Sequence, residues 1–205
     1  RRHDAHTLAV LRRARWRLLG VLPQLTMQER VGVYRQVRRD SRVNTDFYVM
    51  MTLATGIASL GLLLNSPAVI IGAMLVAPMM AALVGIGLGI VQGDSSLLRL
   101  SVRTTVMGAL LVIAISALLG LAMPQKRITS EMLGRGTPSL LDLGVALVSG
   151  AAAAYARARR GVASALPGVA IAVALVPPLA TIGLAVTAGD GQVALGALLL
   201  FLANL

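Results

Sequence analysis

Three prolines interrupt apolar stretches of this chain: Pro78, and the adjacent Pro177 and Pro178. Proline has no amide hydrogen, and its ring clashes with the carbonyl four residues earlier. Pro78 therefore frees the carbonyl of Met74, and Pro177 and Pro178 free those of Val173 and Ala174. Freed carbonyls in an apolar interior can coordinate a cation. The N-terminus of the half-helix that follows, beginning near Met79 in the first case, can hold an anion. The competing reading is that each proline only bends a helix whose neighbours re-satisfy the carbonyls.

Repetition favours the first reading. The segment Pro67-Ala-Val-Ile-Ile-Gly-Ala-Met-Leu-Val-Ala-Pro78 recurs as Pro167-Gly-Val-Ala-Ile-Ala-Val-Ala-Leu-Val-Pro-Pro178, with six of twelve positions identical. Each copy then leaves its apolar run through Gly-Asp, at Gly93-Asp94 and Gly189-Asp190. From Pro67 to Pro78 is about 16 Å of helix, against a hydrocarbon core of about 30 Å, so the break falls near the midplane. Duplicated transporters place their sites at this depth, in discontinuous helices.

Other polar residues near these segments carry two readings each. Thr181, one turn past Pro178, offers a hydroxyl to a site or back-bonds its own helix, and the second is favoured. Asp142 lies a few residues inside an apolar run; it faces water, a partner or a substrate path, or it sits at headgroup level. Asn65-Ser66-Pro67 forms a turn with Pro67 at the first helical position, and its side chains are also candidates to line an entrance. The Gly-Asp pairs read first as a helix-ending glycine followed by a capping aspartate. Ser59, Ser149, Gly72 and the glycines 85, 87 and 89 read as helix-contact residues.

Composition excludes much else. The chain has 205 residues, 57% of them hydrophobic, with 21 glycines and only 3% aromatics; its mean hydropathy is +0.80. A soluble domain of this size does not hold several apolar runs of about 20 residues. There is no cysteine, and both histidines, His3 and His6, precede every apolar run. Thiolate chemistry and a histidine metal site within the apolar region are thereby ruled out. No nucleotide loop, zinc motif or triad occurs, and Gly85-x-Gly-x-Gly89 lies within an apolar span rather than after a strand. The expectation is a protein that is not an enzyme, with no cofactor and no metal. The net charge of +11 is concentrated at the front, where residues 1–44 hold eleven arginines against Asp4, Glu29 and Asp40. Without interleaved aromatics to stack bases, that block suits anionic lipid headgroups and not nucleic acid.

These elements order themselves along the chain. Residues 1–44 form a basic cytoplasmic juxtamembrane region, in which Thr26-x-x-Glu29 resembles a capping box opening a helix over 27–42. Residues 45–123 make a first transmembrane repeat, 124–137 an outer loop, and 138–205 a second repeat. The spans are predicted at 46–64, 67–92, 101–123, 138–156, 165–188 and from 192 onward. The last is still apolar at Leu205, which leads to the expectation of a longer natural chain. Arg99, Arg103, Arg157, Arg159 and Arg160 join the N-terminal arginines on one side, against Lys126, Arg127 and Arg135 on the other. That asymmetry puts the N-terminus inside. Three spans per unit forces opposite senses. The fold predicted is all-α and integral to the membrane: six transmembrane helices as two inverted three-helix repeats, with proline-broken second and fifth helices.

Asn65-Ser-Pro-Ala-Val-Ile-Ile-Gly-Ala-Met-Leu-Val-Ala-Pro-Met79, the Gly-Asp at 93–94, and Val169-Ala-Ile-Ala-Val-Ala-Leu-Val-Pro-Pro-Leu179 resemble a prokaryotic family, the uncharacterised hydrophobic domain (domain of unknown function 389). The likeness spans about residues 30–205. It implies a polytopic membrane protein, often with a further soluble cytoplasmic region, and brings no activity or functional residue with it. The function expected from the residues is a transporter or channel for a small solute or ion in a prokaryotic inner membrane. The alternative is a non-transporting scaffold, sensor or lipid-interacting module. The partners expected are anionic lipid headgroups, the solute or ion, and further copies of the chain.

Overall fold

A computed structural model of the chain describes residues 26–123, 127–158 and 175–205. Every regular element among them is an α-helix, as the composition predicts. Helix α1 (Met27–Asp40) opens on the expected capping box: Glu29 N–H donates to the Thr26 hydroxyl, and Thr26 N–H donates to the Glu29 carboxylate. Helix α2 (Thr45–Leu63) is capped by Asn44, whose side-chain oxygen accepts from Phe47 N–H at 2.8 Å. Asn65 adopts the left-handed region (φ 53°) and turns the chain into α3 (Pro67–Val76). Ala77, ahead of proline, is extended, and α4 (Met80–Gln92) departs from the α3 axis by 59°.

Gly93, at φ 66°, ends α4, and Asp94 caps α5 (Ser95–Ala122) by accepting from Ser96 and Leu97 N–H. A short helix α6 (Ser130–Gly136) and a long α7 (Leu140–Ala158) follow, at 85° to one another. Helix α8 (Val176–Ala188) ends at Gly189, φ 80°, and α9 (Gly191–Ala203) is capped by Asp190.

Among the described residues two helices, α2 and α5, are long and apolar enough to cross a membrane, and counting each bent pair as one span makes four. The sequence predicts six. The difference lies in α8 and α9, which have 13 residues each. The expected fifth span, 165–188, falls among the described residues only from Leu175 onward. The third begins at Ser95 rather than 101, because Asp94 caps it there. The expected outer loop contains α6.

Helix α8 is the centre of the molecule. It packs against α5, α9, α2 and α6, and every residue from Val176 to Ala185 is buried. Its approach to α5 is close enough to require glycine: a Cβ on Gly183 would lie 2.5 Å from the Ile113 carbonyl oxygen and 2.8 Å from the Ala117 nitrogen. Small residues let backbones pack at this range, where dispersion contacts are dense. At the far end of α5, Thr187 Oγ1 lies 2.2 Å from where a Gly120 Cβ would be. Helix α8 thus ends beside the last turn of α5, whereas α4 runs through Gly93-Asp94 into its first turn.

Candidate functional site

At the first break, Ala77 N–H closes on the Ala73 carbonyl, and Pro78 has no N–H to give the carbonyl of Met74. Met74 and Met79 are buried and Pro78 is half-buried. Helix α4 then starts at Met80 with no side-chain cap, leaving the first amides of that turn (Met80, Ala81, Ala82) without an intrahelical acceptor.

The second proline pair is placed differently. Pro177 and Pro178 stand within the first turn of α8, where a missing N–H has no helical acceptor to lose. Both are buried, beside Leu175 and Val176. Helix α8 also lacks a side-chain cap. Thr181 is fully buried and donates to the Pro177 carbonyl at 2.9 Å, the back-bonding arrangement favoured from the sequence. Val173 and Ala174, expected to present freed carbonyls, lie outside the described residues.

The two breaks share one apolar cluster. Met74 and Met79 from the first, and Leu175, Val176 and Leu179 from the second, belong to a single buried core, and α3 touches α8. The remaining predicted residues lie elsewhere. Asn65 is committed to a cap: its Oδ1 accepts from Ser130 Oγ at 2.8 Å and from Glu131 N–H at 3.0 Å, tying the α2–α3 turn to α6. Ser66 is the half-buried N-cap of α3 and makes no side-chain cap bond. Asp142 accepts from Ser139 N–H and Oγ, both at 2.7 Å, in the first turn of α7.

Two features go beyond the sequence reading, which placed Ser59 at a helix contact but named no partner for it. A polar clip ties α1 to the α4–α5 corner. Tyr34 donates to the Asp94 carboxylate, Arg38 donates to Tyr34 Oη at 2.7 Å and to Ser96 Oγ at 3.1 Å. The Tyr34 bond, the Leu97 and Ser96 amides and the nearby Arg38 charge hold the Asp94 carboxyl below its usual range. Tyr34 and Arg38 at i and i+4 were the available signal, but their acceptor is 60 residues away. The other feature is a set of buried hydroxyls along α5. Ser116 bonds Ser59 of α2 at 3.0 Å, and Thr104 donates to the Ser41 carbonyl at 2.6 Å.

The family model described as "Domain of unknown function (DUF389)" matches residues 74–205, which include both breaks. An uncharacterized protein of Methanocaldococcus jannaschii is 31% identical over 157 residues, covering 77% of this chain and 49% of the relative. The chain therefore spans about half the length of the curated relative it matches. No solved structure matches it. On sequence likeness across most of its length, with Pro78, Pro177 and Pro178 inside the matched region, the chain belongs to the DUF389 family.

Proposed function

We propose that this chain is a multi-pass inner-membrane transporter or channel for a small solute or ion, and not an enzyme. Its site lies where the α3–α4 break meets the start of α8. The observation that carries the reading is that α4 begins with three amides and no side-chain cap, beside a buried cluster that the start of α8 shares. Uncapped helix starts in an apolar interior are costly unless something uses their polar groups. In this reading the six spans form two inverted three-helix repeats with the N-terminus in the cytoplasm. The opposite destinations of α4 and α8 along α5 support the inversion.

The test is a panel of small ions and solutes screened by thermal shift on the purified protein, followed by flux in liposomes. Pro78→Ala and Pro178→Ala should each lose the shift and the flux while staying folded. Retention of both activities in both variants refutes the site. Sidedness is read with single cysteines, since the native chain has none. A cysteine at Ser130 should label from outside only, and one at Ser95 from inside only.

A second reading, a non-transporting scaffold, sensor or lipid-interacting module, draws support from the Tyr34–Asp94–Arg38 clip, which couples a basic surface helix to a broken span. Flux in the wild type separates the two.

A further inference from the structure

A groove of about 710 Å³ is lined by α4 and α7, with residues of α1 and of the end of α9 beside them. Its walls are apolar: Leu83, Leu88 and Val91 face Leu143 and Leu147. Among the described residues that line it, Arg30 of α1 carries the only formal charge. Arg30 is exposed and makes no side-chain hydrogen bond or ion pair with any described residue. Its neighbour Arg38 is already engaged by Tyr34 and Ser96.

We propose that this groove binds one anionic phospholipid, its acyl chains lying along α4 and its phosphate paired with Arg30. The lining decides for hydrocarbon: the walls are mostly aliphatic, and acyl chains need no hydrogen-bond partners along their length. The charge decides the headgroup class, because an unpaired guanidinium beside an apolar groove is matched by a phosphodiester with no compensating cation. The groove meets the proline break at Met80 and Leu83, but Arg30 and Gly150 line it from α1 and α7, so variants there test the lipid site apart from transport.

The experiment titrates the delipidated full chain in neutral detergent with phosphatidylglycerol or phosphatidylcholine and follows the thermal midpoint. Phosphatidylglycerol should raise the midpoint saturably, with an apparent affinity about fivefold above that of phosphatidylcholine, the effect of ~1 kcal/mol for one arginine at an anionic phosphate. Arg30→Ala should abolish that preference, and Arg42→Ala, which does not line the groove, should keep it. Gly87→Leu and Gly150→Leu fill the groove from opposite walls, at positions where an added Cβ meets nothing within 4 Å. Each should weaken binding of both lipids at least tenfold while leaving the lipid-free midpoint no lower than the wild type's. Equal response to both lipids, an Arg30→Ala protein that keeps the preference, or groove-filled variants with unchanged binding overturns the proposal. So does a Gly87→Leu protein whose only change is its oligomeric state, which would make the groove a contact between copies.

Discussion

The helix after the first break and the helix after the second are the same length, 13 residues, and both end in a left-handed glycine followed by a capping aspartate. Their surroundings differ. Helix α4 buries only Ala81, Ala82, Gly85 and Gly89, leaving Val91 85% exposed, while α8 is buried continuously over ten residues. Their prolines differ too. Pro78 stands ahead of its helix, and Pro177 and Pro178 stand inside theirs. From Pro78 to Gly93 is four residues more than from Pro178 to Gly189, about one helical turn. The shorter copy absorbs that turn by drawing its prolines into the helix. One consequence is chemical: α4 begins with three consecutive amides, whereas two of the first three positions of α8 have none. In the transport reading an anion would therefore be better received at α4, with α8 as the rigid wall behind it.

That contrast is most directly broken by adding methyl groups to glycines. Gly183→Ala puts a Cβ against the α5 backbone and should destabilise the protein by about 1–3 kcal/mol, because neither atom it meets can swing aside. Gly87→Ala in α4 meets nothing within 4 Å and should stabilise by up to about 1 kcal/mol through helix propensity. Unfolding midpoints in mild detergent check both; equal effects would mean that α8 is not the more tightly held helix.

A smaller difference separates the two capping aspartates. Asp190 accepts one amide, from Val193 at 3.0 Å, and Asp190→Ala should cost about 1 kcal/mol. Asp94 accepts two amides and the Tyr34 hydroxyl, so Asp94→Ala should lower the midpoint further and also release α1 to limited proteolysis. Because the Asp94 carboxyl is held below its ordinary value near 3.9, its contribution is fully present above that pH. It is lost as pH falls through the lower folded value. An Asp94→Asn protein should lack this part of the acid-side loss, measured as midpoint against pH from 5 down to 2. An unchanged pH profile would show that the clip does not hold α1.

The smallest expected effect is at Thr181. Its hydroxyl only back-bonds Pro177, so Thr181→Val should change stability by no more than about 0.5 kcal/mol. If ligand binding nevertheless disappears in that variant, the hydroxyl faces the substrate in a state other than this one, and α8 takes part in recognition.

Local chemistry made much of the fold legible in the sequence. The capping box at Thr26 and Glu29, the break at Pro78 and the Gly-Asp corners depend on residues within four positions of each other, and all stand where the pattern puts them. What lay hidden depends on long-range partners. Helix α8 is apolar on every side, so periodicity cannot say which face is buried, and its central place depends on Gly183 meeting Ile113 and Ala117. Helix α6 has seven residues, two of them glycine, too few to show a period. Asn65 could be read as an entrance residue because the amide it caps, that of Glu131, is 66 positions away. The groove needs four helices to exist at all.

Helix α5 spans about 42 Å, more than the hydrocarbon layer, yet its charges Arg99 and Arg103 fall within the first nine residues. Beyond them, Thr104–Ala122 is uncharged for 19 residues, about 28 Å. In the membrane reading this helix acts as a ruler. Its arginine end is anchored among headgroups, and its uncharged length is matched to a bilayer of ordinary thickness. Thinner or thicker membranes would tilt α5, and with it α8, which Gly183 holds too closely to slide.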